Sequence, residues 1–152
     1  MQLFNPTVLD ELAFGPLQLG WSKGELVQRM EEVMAEFAIA HLKGRAPYRL
    51  SGGEKKRVAL ASIMIMQPEV LLLDEPTAAL DPASQGAVIR MLAEWGDAGR
   101  TLITSTHDLA LVEEIADKVF VLEQGRLVAV GTPVEILADR VVLRRTHLLE
   151  GE

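Results

Sequence analysis

Four consecutive apolar residues, Val70-Leu71-Leu72-Leu73, run straight into two adjacent carboxylates, Asp74-Glu75. A short unbroken apolar run of this kind reads as a strand buried on both faces, and such strands belong to parallel sheets covered by helices. The residues that follow keep to that plan. Asp81-Pro82 opens a helix carrying Val88, Ile89, Met91, Leu92 and Trp95, aspartate being a favoured N-cap and proline a favoured first helical residue. Gly96 to Arg100 turns the chain, and Thr101 to Ser105 is the next strand. Leu109 to Ala116 is a helix, Val119 to Leu122 and Leu127 to Val130 form a hairpin turning at Gln124-Gly125, and Pro133 starts a last helical stretch. Strand and helix in alternation predict an α/β fold with part of a mostly parallel sheet and flanking helices.

Upstream of Val70 the pattern is helical throughout. Thr7 is an N-cap for a helix over Val8 to Phe14, which Gly15-Pro16 should end because proline disfavours helix at the residue before it. Ser22 and Glu25 are spaced as a capping box, and Leu26, Met30, Val33, Met34 and Phe37 recur at helical spacing to about Ile39. Lys43 to Arg49 reads as a loop, and a second capping box, Ser51 with Glu54, opens a helix to about Met66. The expected division is a helical subdomain over residues 1–50, a core portion over 51–138 and a tail over 139–152.

Charge and composition narrow the classes of function. Twenty-two acids against fifteen bases leave a net charge of −7, which repels phosphate backbones, so non-specific nucleic-acid binding is not expected. Without cysteine there is no disulfide framework and no thiolate metal site. The longest apolar run, Val58 to Met66, is interrupted by Ser62 and falls well short of the ~20 residues that span a bilayer. Met1 to Pro6 lacks the basic-then-apolar pattern of a signal peptide. The expectation is a cytosolic protein.

Three segments carry chemistry. Asp74-Glu75 at the carboxyl end of a strand lies where open parallel sheets bind ligands; one carboxylate there can serve Mg²⁺, directly or through water, while its neighbour orients an attacking water. A solvated acidic turn explains the dipeptide equally well. Leu50-Ser51-Gly52-Gly53-Glu54 places a serine and two glycines at a helix start, where unpaired N–H groups attract anions and glycine permits close approach of a phosphate; a simply well-capped helix is the alternative. Thr104-Ser105-Thr106-His107-Asp108 puts His107 just past a strand, within reach of a γ-phosphate or water, or merely solvated. His41 and His147 have no acid at ligand spacing in the sequence.

Taken in order, these segments resemble the ATP-binding cassette family over essentially the whole chain. Leu50 to Glu54 is similar to its signature motif, Val70 to Glu75 to Walker B with its catalytic glutamate, Ala79-Leu80-Asp81 to the D-loop and His107 to the switch histidine. Glu123-Gln124-Gly125-Arg126 and Gly131-Thr132-Pro133 continue the closing pattern. Gln2-Leu3-Phe4-Asn5-Pro6-Thr7-Val8 with Ala13-Phe14-Gly15-Pro16 resembles the ATPases of energy-coupling-factor importers, the cobalt, nickel and vitamin uptake group, just after their Q-loop. The metal-contacting glutamine of that group precedes this segment, so Gln2 is a different residue.

The resemblance implies a partial P-loop NTPase fold that uses ATP and Mg²⁺, with Glu75 and His107 catalytic, Asp74 serving Mg²⁺ through water, and Ser51, Gly52, Gly53, Glu54 and Asp81 at nucleotide. It implies as partners a second cassette subunit and membrane-embedded transporter subunits, at the inner face of the cell membrane. Two departures qualify it. Glu54 stands where the family has glutamine, placing a negative charge near phosphates. The P-loop G-x-x-x-x-G-K-[ST] does not occur, since none of the twelve glycines is followed by lysine. The chain therefore resembles the C-terminal part of a cassette. By itself it is expected to be inactive, to bind ATP weakly and to leave strand edges and apolar surface exposed. The alternative function is a non-catalytic, truncated module that lends its signature motif to an intact cassette.

Overall fold

A computed structural model describes residues 3–149; Gln2 and the last residues of the expected tail lie outside it. The elements in order are helices α1 (Val8–Gln18), α2 (Lys23–Glu36) and α3 (Gly52–Met64), strand β1 (Val70–Asp74), helix α4 (Pro82–Asp97), strand β2 (Thr101–Ser105), helix α5 (Leu109–Ile115), strands β3 (Val119–Glu123) and β4 (Arg126–Gly131), and helices α6 (Pro133–Ala138) and α7 (Arg140–Arg145). Short 3₁₀ turns at Ala40–Leu42 and Pro47–Arg49 fill the loop before α3. Two compact units form: one takes in the residues up to Glu69 together with Ala79–Gln85, the other Val70–Ala78 and the residues from Gly86 onward.

The first unit is α1, α2 and α3 around Val8, Leu12, Val33, Phe37, Ile39, Leu42, Leu60, Met64 and Ile65, all essentially inaccessible to solvent. Both expected capping boxes are present: Ser22 accepts from Glu25 N, Ser51 accepts from Glu54 N, and each glutamate reaches back to its serine's N–H. One expectation fails. Gly15-Pro16 does not end α1, which continues to Gln18 with Pro16 inside it. Part of proline's helix-breaking effect is collision of its ring with the Cβ and N–H of the preceding residue, and Gly15 has no Cβ. That bare position also admits Met66, whose Sδ would lie 2.7 Å from a Cβ at Gly15.

A buried carboxylate closes the entry to α1. Glu11 Oε2 accepts from Phe4 N (3.2 Å), Asn5 N (2.9 Å) and Asn5 Nδ2 (2.9 Å). Val8 N and Leu9 N, two first-turn donors without helical partners, donate to Arg45 O and Lys43 O.

In the second unit β1 and β2 pair in parallel, Val70 against Thr101 through Asp74 against Ser105. β1 is not buried on both faces as its apolar run predicts. Leu71 and Leu73 are buried, while Leu72 is 69% exposed and Val70 and Ile103 are also open to solvent. Among the described residues β1 pairs only with β2, and only one face of this two-stranded sheet is covered. The predicted hairpin forms as an antiparallel pair, with Gln124 and Gly125 both at positive φ (48° and 75°) as a tight two-residue turn requires. Its inner residue Val121 packs with Ile136 of α6 and Leu143 of α7. Thr132 opens α6 with a capping box to Glu135, and Asp139 caps α7; the sequence pattern resolved neither.

Candidate functional site

The end of β1 is tied to the end of β2 by side chains as well as by backbone. Asp74 Oδ1 accepts a hydrogen bond from Ser105 Oγ. One residue on, Glu75 takes a left-handed conformation, φ 46°, with its N–H donating to Ser105 O at 2.9 Å. A non-glycine residue there costs about 1–2 kcal/mol, and strain of this sort persists where surrounding bonds hold it. The bonds are visible: Glu75 Oε2 accepts from Thr106 Oγ1 (3.2 Å), and Oε1 accepts from His107 N (3.2 Å) and lies 2.7 Å from His107 Nδ1. Turning the backbone at Glu75 thus aims its carboxylate at the loop after β2.

That loop is organised by two residues that the motif reading did not single out. Asp108 caps α5, its Oδ1 accepting from Ala110 N (3.1 Å) and Leu111 N (3.4 Å). Its Oδ2 accepts from Thr77 Oγ1 at 2.8 Å, and Thr77 is only 1% exposed. Thr106 Oγ1 accepts from Asp108 N at 3.0 Å while donating to Glu75. Asp74, Glu75, Thr77, Ser105, Thr106, His107 and Asp108 therefore form one connected network within the second unit. The signal for it was a run of hydroxyl and acidic residues past each strand, but which hydroxyl meets which acid depends on the β1–β2 register.

His107 is more exposed than the carboxylate it meets, with 75% of its side chain accessible against 34% for Glu75. Its pKa is raised, first by the hydrogen bond to Glu75 and then by the charge of that carboxylate, both of which favour the imidazolium form.

The first unit holds the other expected residues. Ser51 is the N-cap of α3, and Gly52, Gly53 and Glu54 form its first turn. Glu54 Oε2 accepts from Ser51 N at 2.7 Å, the leading cause of a lowered pKa, so the residue is a carboxylate near neutral pH. His41, without an acid nearby in sequence, lies with Nε2 4.0 Å from Glu54 Oε1, and Arg45 also acts on that charge. The Arg45 guanidinium thus offsets part of the charge that glutamic acid brings to this turn. Asp81 caps α4: Oδ1 accepts from Ser84 N (3.1 Å) and Oδ2 from Ser84 Oγ (2.6 Å), and these bonds lower its pKa.

No group of three or more His, Asp or Glu side chains among the described residues is placed to enclose a metal ion. A single Asp74 carboxylate beside a hydroxyl does suit Mg²⁺, which keeps several waters and takes its remaining oxygens from phosphates. No helix among the described residues is long and apolar enough to cross a membrane.

Comparison with known proteins identifies the family. The ABC transporter family profile matches residues 2–78. The nickel import ATP-binding protein of Rhodobacter capsulatus is 56% identical over 99% of this chain and 61% of its own length. An energy-coupling factor transporter ATP-binding protein of Methanothermobacter thermautotrophicus is 46% identical over 97% of this chain and 47% of its own. The solved structure of CbiO1 of Clostridium perfringens, part of the ABC transporter complex CbiONQ, superposes with a TM-score of 0.80 at 38% identity, covering 97% of this chain and 59% of that one. The chain thus spans about half to three-fifths of the length of these relatives, and its α/β fold is that of part of an ABC ATPase. It belongs to the ABC transporter family.

Proposed function

We propose that the chain is the C-terminal part of the ATP-hydrolysing subunit of an ABC importer for cobalt, nickel or a vitamin. The observation that carries this reading is the Glu75 carboxylate, fixed by Thr106 and His107 one residue beyond Asp74. A carboxylate so placed orients a water and accepts its proton as the water attacks a terminal phosphoryl group. His107 holds the carboxylate in place and presents its ring to that phosphoryl group. Asp74, steadied by Ser105, serves Mg²⁺ through water, and the ion, when bound, neutralises charge developing on the phosphate oxygens. Ser51, Gly52, Gly53, Glu54 and Asp81 serve nucleotide at the face between this cassette and a second ABC ATPase subunit. Membrane-embedded subunits are the other partners, and the protein works in the cytoplasm, peripheral to the inner face of the membrane. The names of the nickel and energy-coupling relatives support this importer class.

The test joins this chain to the P-loop-bearing segment of a full-length relative and follows ATP hydrolysis. Glu75→Gln should lower the rate by at least about a hundredfold, the lower end of what general-base catalysis supplies. A rate indifferent to that change, with hydrolysis still dependent on Ser51, favours the alternative of a non-catalytic module that donates its signature turn.

A further inference from the structure

The two glycines of the α3 turn are not equivalent. A Cβ at Gly52 would meet only Ala79 O, at an ordinary 3.9 Å. A Cβ at Gly53 would overlap Ser84 Oγ and lie 3.0 Å from Ser84 Cβ. Gly53 therefore lacks a side chain for an internal reason: Ser84 occupies the space. Ser84 is itself fixed, since both its N–H and its hydroxyl donate to Asp81, whose Oδ2 lies 3.9 Å from the same position. All three residues belong to one compact unit, although thirty-one positions separate Gly53 from Ser84 in sequence. Ala79, at the start of the connecting segment, has φ 60°, and the turn it begins carries Asp81 back to α3.

We propose that Ser84 is a positioning residue: it locks the Asp81 carboxylate to the first turn of α3, so that the Ser51–Glu54 turn and the Asp81 turn move as one body when nucleotide is engaged. This rests on the functional reading above, in which both turns serve nucleotide. A close-packed contact without room for a methyl group transmits displacement because the two backbones cannot slide independently, and a charge-assisted hydrogen bond fixes the direction in which Asp81 points.

Two measurements decide it. The first is a double-substitution cycle on the stability of the chain. Gly53→Ala should lower the denaturation midpoint, and the same change made in a Ser84→Gly background, where the space is free, should lower it much less. Equal effects in both backgrounds overturn the contact. The second mixes the chain with a full-length relative whose own signature serine has been changed to arginine, so that hydrolysis depends on the turn supplied here. Ser84→Ala should reduce kcat about tenfold, the loss of one hydrogen bond to a charged group, with the KM for ATP changed by less than about twofold. Ser84→Thr, which keeps the hydroxyl, should restore it. Unchanged kcat in Ser84→Ala, or a loss in KM alone, overturns the positioning role while leaving the functional reading intact. A mixture in which Ser51→Arg has no effect removes that reading instead, and the stability cycle still decides whether Ser84 couples the two turns.

Discussion

His107 lies thirty-two residues beyond Glu75 and places its Nδ1 2.7 Å from Glu75 Oε1, with its own N–H donating to the same oxygen at 3.2 Å. Backbone and ring of one residue thus hold one carboxylate oxygen, and Thr106 holds the other.

The contact raises the His107 pKa above its ordinary value. A group with a raised folded-state pKa adds stability that is fully present below its ordinary pKa and is lost as pH rises through the raised one. Titration of the His107 ring by NMR should show a pKa above 6.5, the ordinary value, and Glu75→Gln should bring it down. A ring that titrates at the same pH with and without the carboxylate disproves the pairing.

Asp108 carries two roles with one side chain, capping α5 and accepting from the buried Thr77 hydroxyl. Asp108→Ala should destabilise the chain by about 2–4 kcal/mol, a lost N-cap plus the loss of the bond from the buried Thr77 hydroxyl. Asp108→Asn keeps the cap on its single carbonyl oxygen and turns an amide N–H toward Thr77 Oγ1, which can accept it, so it should cost less. Urea denaturation gives both values.

Glu11 is a buried carboxylate with three donors on one oxygen. Glu11→Ala removes the acceptor and strands those donors, for a cost of about 3 kcal/mol. Glu11→Gln retains a carbonyl oxygen and should fall between it and the unsubstituted chain. Amide exchange at Phe4 and Asn5 should accelerate in step with the loss.

Leu72 and Ile103 face each other across the β1–β2 pair and are both exposed. An uncovered apolar sheet face favours association. Sedimentation at rising concentration should show self-association, reduced by Leu72→Lys without loss of cooperative unfolding. A chain that stays monomeric across the range, or a Leu72→Lys variant that associates equally, refutes this.

Local patterns in the sequence were enough for the first three helices, their N-caps and the motif segments. A capping box needs only residues three apart, as with Ser22 and Glu25, and a two-residue hairpin turn needs only Gln124-Gly125. The strand at Val70–Asp74 was legible for the same reason, since apolar runs and their polar ends are nearest-neighbour information. One local rule failed: Pro16 remains helical, preceded by Gly15, which has no Cβ for the proline ring to meet and whose bare face Met66 fills.

The order of residues by itself determined the ABC family, the α/β alternation and the acidic pair at the end of β1, all properties of short stretches read in succession. Only the tertiary structure decided which face of β1 is buried, that Glu75 meets Thr106 and His107, that His41 stands by Glu54, and that Gly53 is bare because Ser84 fills its place. Each of these is a contact between residues far apart in sequence. Strand register and helix packing set such contacts, and no local periodicity encodes them.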